Sequence, residues 1–109
     1  MYSELLFDPS HEDAQSELAL GGQDAGAIVH VTIDRTFVEK GVRWIVDFKT
    51  GRHEGGDVLH FLDTEYERYA GQLDRYARIM RALDARYPIR LALYYPLVDG
   101  GWREWDAAC

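Results

Sequence analysis

The chain has 109 residues, room for one domain with a genuine core and little beyond it. Hydrophobic residues make up 47% and charged residues 28%, and no apolar run approaches the roughly 18 residues of a membrane span, so a globular, non-membrane chain is expected. A net charge of −7 argues against a simple nucleic-acid-binding module, whose surface is basic overall; it does not exclude an enzyme that brings DNA to metal ions, and the plainer reading is acidity that only keeps a small domain soluble.

Residues 1–15 show no steady period and contain the turn-like cluster Asp8-Pro9-Ser10, so they read as an extended or loosely helical lead-in to a domain over residues 16–109. The start, MYSELLFDPSHED, has no basic segment followed by an apolar one; no secretory signal is expected, and the cytoplasm is the expected compartment. Ser16–Leu20 is a candidate short first strand, ended by Gly21-Gly22. From Ala27 to Phe37 the period is two: Val29, Val31 and Ile33 alternate with His30, Thr32 and Asp34. Glu39-Lys40-Gly41 is a turn, and Arg43 to Lys49 alternates again with Trp44, Val46 and Phe48 on one side, so the two runs form a hairpin.

Residues 51–60, GRHEGGDVLH, read as a glycine-rich loop. Thr64 and Glu67 have the capping-box spacing of a helix start. Leu62, Tyr66, Tyr69, Leu73, Tyr76, Met80, Leu83 and Tyr87 then form one apolar stripe, with Glu65, Glu67, Arg68, Asp74, Arg75 and Arg78 on the outer faces and Asp74–Arg78 as a supportive pair, until Pro88 ends the helix. Ile89–Tyr95 is β-rich, Pro96 through Gly101 turns, and Trp102–Trp105 is a last edge strand. The order predicts an α/β fold with a central mixed sheet of about four to five strands and one long helix. The single cysteine, Cys109, rules out an internal disulfide framework and a cysteine-based metal cluster.

The chemistry concentrates in the hairpin. Alternation points Asp47 and Lys49 the same way, with Phe48 turned into the core. A register that sets Asp34 opposite Asp47 leaves Glu39 to Val42 in the turn and brings the two β-carbons to about 5 Å. Two bare carboxylates that close repel, and a divalent cation between them removes the penalty; hard oxygen ligands suit magnesium, with manganese as a substitute. Lys49, one pleat beyond, lands beside that ion, where it can orient water or stabilise charge on a phosphate. The backbone carbonyl of Phe48 is a further candidate ligand. The plainer reading is a solvated strand face with an Asp47–Lys49 ion pair.

Four blocks occur in order: Ile33-Asp34-Arg35-Thr36-Phe37, Trp44-Ile45-Val46-Asp47-Phe48-Lys49-Thr50-Gly51, Gln72-Leu73-Asp74-Arg75-Tyr76-Ala77 and Leu93-Tyr94-Tyr95-Pro96. Together, over about Ser16 to Trp105, they resemble the C-terminal nuclease domain of RecB/AddA-type helicase–nucleases, the exonuclease V β-subunit family of the PD-(D/E)XK superfamily. The resemblance implies a restriction-endonuclease-like core, Asp34 and Asp47 as metal-binding carboxylates and Lys49 as the catalytic lysine. Gln72 and Tyr76 would contact the DNA backbone or support the site, although Tyr76 also lies on the apolar stripe. It further implies a deoxyribonuclease acting on single strands or strand ends delivered by a helicase motor, in DNA end processing and recombinational repair.

The chain also departs from that family. Full domains carry a helix before the first strand with a histidine or acid that completes the metal site, and residues 1–15 are too short and aperiodic for it, so this chain is expected to lack it, as a fragment of a larger helicase or a small stand-alone relative. His11 and Glu17 are weak substitutes for the missing ligand: His11 reads more readily as an exposed loop histidine, and Glu17 as the start of the first strand. No Gly-x-x-x-x-Gly-Lys-Ser/Thr loop is present, so no ATP site is expected. Arg35 and Thr50 flank the site and are candidates for phosphate contact, as are Arg52 and His53 in the glycine-rich loop. His30 is too far along the strand to share the ion, and His60 has no assigned role. Trp102 and Trp105 are expected to cover the sheet edge or meet a partner domain. The alternative to an active enzyme is a catalytically silent nuclease fold that docks partners or guides DNA.

Overall fold

The computed structural model describes residues 6–53 and 56–108. Residues 1–5 of the lead-in, Glu54 and Gly55 of the glycine-rich loop, and Cys109 lie outside the described residues. Strands β1 (Glu12–Asp24), β2 (Ala27–Glu39) and β3 (Val42–Phe48) precede helix α1 (Val58–Leu83), which is followed by β4 (Ile89–Tyr94) and β5 (Trp102–Asp106). The strands form one sheet in the order β1-β2-β3-β4-β5. Neighbours are antiparallel except β3 and β4, which run parallel and are joined through α1. This is the α/β arrangement the sequence predicts: a five-stranded mixed sheet with one long helix among the described residues.

The first strand is longer than Ser16–Leu20. Its pairing with β2 runs from Glu12↔Val38 to Asp24↔Ala27, and Gly21 and Gly22 continue it instead of ending it. A Cβ on Gly22 would stand 3.1 Å from Ile79 Cγ2, so the missing side chain lets the strand lie close against α1. The chain reverses at Ala25-Gly26, with φ of 52° and 82°, and again at Lys40-Gly41, with φ of 51° and 75°. Paired positive-φ residues suit the tightest hairpin loops. Glu39 is therefore paired with Val42, and the β2–β3 turn holds two residues where four were expected.

The N-cap of helix α1 lies about two turns before the expected one at Thr64. Asp57 is the N-cap, its carboxylate accepting from Leu59 N at 2.9 Å, while Thr64 Oγ1 donates back to His60 O inside the helix at 3.1 Å. The helix ends at Leu83, where Asp84 N–H closes on Met80 O at 2.8 Å, five residues short of Pro88. Arg78 is held by Asp24 of the β1–β2 turn, at 2.7 Å, in place of the expected intrahelical partner Asp74. No described helix is long and apolar enough to cross a membrane.

Strands β3 and β4 are buried on both faces, which is why Trp44-Ile45-Val46 and Leu91-Ala92-Leu93 are continuous apolar runs. Toward α1, Ile33, Ile45, Leu91 and Leu93 pack with Leu62, Leu73, Tyr76, Ala77 and Met80 of the helix. On the other face Leu6, Phe37, Val46, Ala92 and Trp102 cluster, flanked by Trp44, Phe48 and Tyr94. Fully enclosed side chains such as Ile45 and Leu91, at 0% exposure, each contribute roughly 1.5–3 kcal/mol. Trp102 joins the far cluster and Trp105 packs on the helix side, so the two tryptophans serve opposite faces of the sheet.

Candidate active site

The end of β3 divides its side chains between the two faces. Ile45 is in the helix-side core and Val46 in the far cluster, so alternation carries Asp47 to the helix side and Phe48 away from it. Lys49 follows with the strand still paired, its N–H bonded to Tyr94 O at 2.8 Å. Its ammonium Nζ lies 2.7 Å from Asp47 Oδ2. The Asp47 side chain is only 9% exposed, and the ammonium stands off the line of a hydrogen bond, so Oδ2 is enclosed with an ionic neighbour and no aligned donor.

Asp34 reaches the same place by an irregularity in β2. Ile33 packs in the helix-side core, yet Thr36, which pairs with Ile45, lies on that side as well. Two positions three apart share a face only where the pleat slips by one. The slip is matched in β1, where Glu17, between the partners of Arg35 and Ile33, has φ of 52°. Asp34 therefore parts from His30 and Thr32, whose side chains are exposed, and does not share their face as strict alternation predicts. Its Oδ2 accepts from Phe48 N at 2.8 Å, and its carboxyl meets that of Asp47. The β2–β3 pairing keeps the expected register from Glu39↔Val42 to Arg35↔Val46 and ends one position short of Asp34 and Asp47.

Burial, and then the neighbouring Asp34 carboxyl, push the Asp47 carboxyl up to about 6; Lys49 works in the opposite direction. The helix supplies the rest of the wall. Gln72 Nε2 donates to Tyr76 Oη at 2.8 Å. Burial first, and then the charge of Asp47, hold the Tyr76 hydroxyl above the ordinary tyrosine range. Tyr76 is thus both a core residue, 7% exposed, and a neighbour of the carboxylate pair.

Two wall residues escaped the sequence reading. Tyr69, assigned to the apolar stripe, carries the Lys49 ammonium 3.7 Å from its ring centroid. Glu65, assigned to an outer face, has a side chain only 14% exposed. It stands against Tyr95, whose hydroxyl is pushed up by burial and then by the Glu65 charge. The available signal was spacing: positions 65, 69, 72 and 76 differ by four, three and four, a single helix face that already included Gln72 and Tyr76.

Other candidates lie elsewhere. Arg35 is turned to the far face, its Nε on Leu6 O at 2.8 Å and Nη1 on Ser16 Oγ at 3.0 Å. Thr50 and Arg52 are exposed on the loop after Lys49, and His53 stacks on Phe61 at 4.8 Å. His11 is not an exposed loop histidine: it lies flat on Phe37, centroids 4.1 Å apart, across the sheet from the carboxylates. Phe48, whose carbonyl is the expected ligand, meets Asp34 through its N–H.

Among the described residues no group of three or more His, Cys, Asp or Glu converges. The pair nonetheless fits a hard divalent cation: two touching carboxyls, one with an enclosed oxygen lacking an aligned donor, against a single ammonium. Comparison with protein-family models and with curated proteins finds no match for this chain.

Proposed function

We propose that the chain is a magnesium-dependent DNA nuclease domain with a restriction-endonuclease-like core, of the kind that the motif blocks resemble in RecB/AddA-type helicase–nucleases. The observation that carries the reading is the meeting of Asp34 and Asp47 with Lys49 Nζ 2.7 Å from Asp47 Oδ2. A mixed sheet with one long helix packed across one face, against β1 as well as the parallel β3–β4 pair, supports the core assignment.

Asp34 and Asp47 would hold the magnesium ion. When bound, the ion supplies positive charge against a phosphodiester and favours ionisation of water at neutral pH. The chain's own groups do the remainder. Asp47, raised to about 6, is ionised through most of the neutral range, and a cation favours that form further. Lys49 orients water toward phosphorus and stabilises the charge that develops on the phosphate oxygens. Gln72 and Tyr76, joined by their 2.8 Å bond, form a polar rim on which a DNA backbone can be held. An acidic chain binds DNA weakly by itself, so delivery of a single strand or strand end by a helicase motor belongs to the proposal.

The test is cleavage of linear single-stranded DNA with magnesium, comparing the native chain with Lys49→Ala and Asp47→Asn. Loss of cleavage in both variants, with native far-UV circular dichroism, is expected. Equal rates in native and Lys49→Ala chains would sink the catalytic reading. No cleavage by any of them, with DNA still bound, would point to the silent docking fold.

A further inference from the structure

Lysine is a point charge on a flexible four-carbon stem, so a catalytic lysine needs something to fix it. Among the described residues, the Lys49 ammonium meets Asp47 Oδ2 at 2.7 Å and the Tyr69 ring, centroid at 3.7 Å. The first is ionic and poorly directed, because the ammonium stands off the hydrogen-bonding line of Oδ2. It is also the weaker holdfast in use, since a cation on Asp47 competes for the same charge. The ring face has neither weakness. Its quadrupole attracts the ammonium without a formal charge and does not compete for a metal.

From this geometry we infer that Tyr69 is the positioning residue of Lys49, setting the ammonium over the Asp34–Asp47 pair when the carboxylates are otherwise engaged. The inference rests on the nuclease reading for its functional consequence and on the ring contact for its structural one. Tyr69 sits on the helix face that also carries Gln72 and Tyr76, half-buried, one turn of α1 from the polar rim. The role belongs to the ring and not to the hydroxyl, so phenylalanine must substitute for it. Arg68 also approaches this ring, its Cζ 5.3 Å from the centroid, but its side chain is 70% exposed and it is the natural control.

Two measurements separate the inference from its foundation. In metal-free protein the side-chain methylene protons of Lys49 are read by NMR. Lys40, exposed in the β2–β3 turn, is the other lysine and the internal reference. Upfield ring-current displacement of Lys49 relative to Lys40 is expected in the native chain, retained in Tyr69→Phe and lost in Tyr69→Leu. The native spectrum needs no variant, so it decides the contact even if Tyr69→Leu fails to fold. In the cleavage assay, Tyr69→Leu should lower kcat about tenfold with KM unchanged, the loss expected from one partly buried cation–π contact. Tyr69→Phe and Arg68→Gln should stay within about twofold of native, as expected where the ring survives or an exposed cation is lost. A Lys49 resonance at the Lys40 position overturns the contact. Native kcat in Tyr69→Leu while Lys49→Ala is inactive overturns the positioning role and leaves the nuclease reading intact. Native activity in Lys49→Ala overturns the nuclease reading, and the NMR result then stands by itself.

Discussion

Replacing Asp47 by Asn in metal-free protein should make the fold more stable at neutral pH. The cause is that a carboxyl with an ordinary value of 3.8 is pushed up to about 6 by burial and by Asp34. A raised carboxyl means the folded state holds its proton more tightly than the unfolded chain does. Stability is therefore highest with Asp47 protonated, falls as pH climbs from about 4 to about 6, and is level above that window. The gap of about two units corresponds to roughly 3 kcal/mol, the whole of which is lost by pH 7.5. Asparagine keeps the shape, carries no charge and can donate to the Asp34 carboxylate, so it mimics the protonated acid at every pH. Urea unfolding followed by tryptophan fluorescence, with a chelator present, should find the variant more stable than native by about 2–3 kcal/mol at pH 7.5 and about equal at pH 4. A variant no more stable at pH 7.5, or a gap that does not change with pH, would refute the reasoning. Such a gain on losing the proposed metal ligand would be the usual trade between stability and an active site.

Magnesium should stabilise the native chain more at pH 7.5 than at pH 5, because the ion needs both carboxylates ionised, and should leave the Asp47→Asn melting temperature unmoved. Gly101→Ala would place a Cβ 2.4 Å from Tyr95 O and 2.8 Å from Val98 O, backbone atoms that cannot step aside. A loss of about 2–3 kcal/mol is expected by chemical denaturation, and an unchanged midpoint would contradict the close approach of Gly101 to the Tyr95 and Val98 backbone. Arg43, with a side chain 4% exposed, reaches Asp13 at 2.6 Å, Asp84 at 3.7 Å and Thr36 Oγ1 at 3.3 Å. Arg43→Leu removes this cation from Asp13 and Thr36, while Asp84 keeps Arg86 at 2.8 Å, so a loss of about 2 kcal/mol is expected in thermal or urea unfolding; a variant as stable as native would contradict a stabilising role for the network.

Much of this site is legible in alternation alone. Asp47 and Lys49, two apart on a strand, had to share a side, and the short turn after Glu39 fixed which residue of β2 would face Asp47. The two carboxylates do meet, although Asp34 arrives there through a slipped pleat, and a period of two contains no sign of a slip. The ends of elements were harder to read. Thr64 and Glu67 match a cap, but Asp57 caps equally well and lies before an apolar run that can already pack. Gly21-Gly22 looks like a strand end until Ile79 is found 3.1 Å from where a Cβ would stand. The stripe places Tyr69 against the helix-side core, where it packs, but does not show that its ring also meets Lys49; Glu65, whose charge suggests an outer face, is largely enclosed beside Tyr95. His11 was misjudged as exposed because its neighbours Asp8, Pro9 and Ser10 are polar, whereas Phe37 offers a flat ring to stack on across the chain.

The central claim is that Asp34 and Asp47 together hold a divalent cation beside Lys49. Calorimetric titration of manganese into the native chain, Asp34→Asn and Asp47→Asn at pH 7.5 addresses it most directly. One site on the native chain, lost in both variants while their folds persist, is the predicted result. Binding that survives either substitution, or heat no greater than dilution in the native chain, would contradict it.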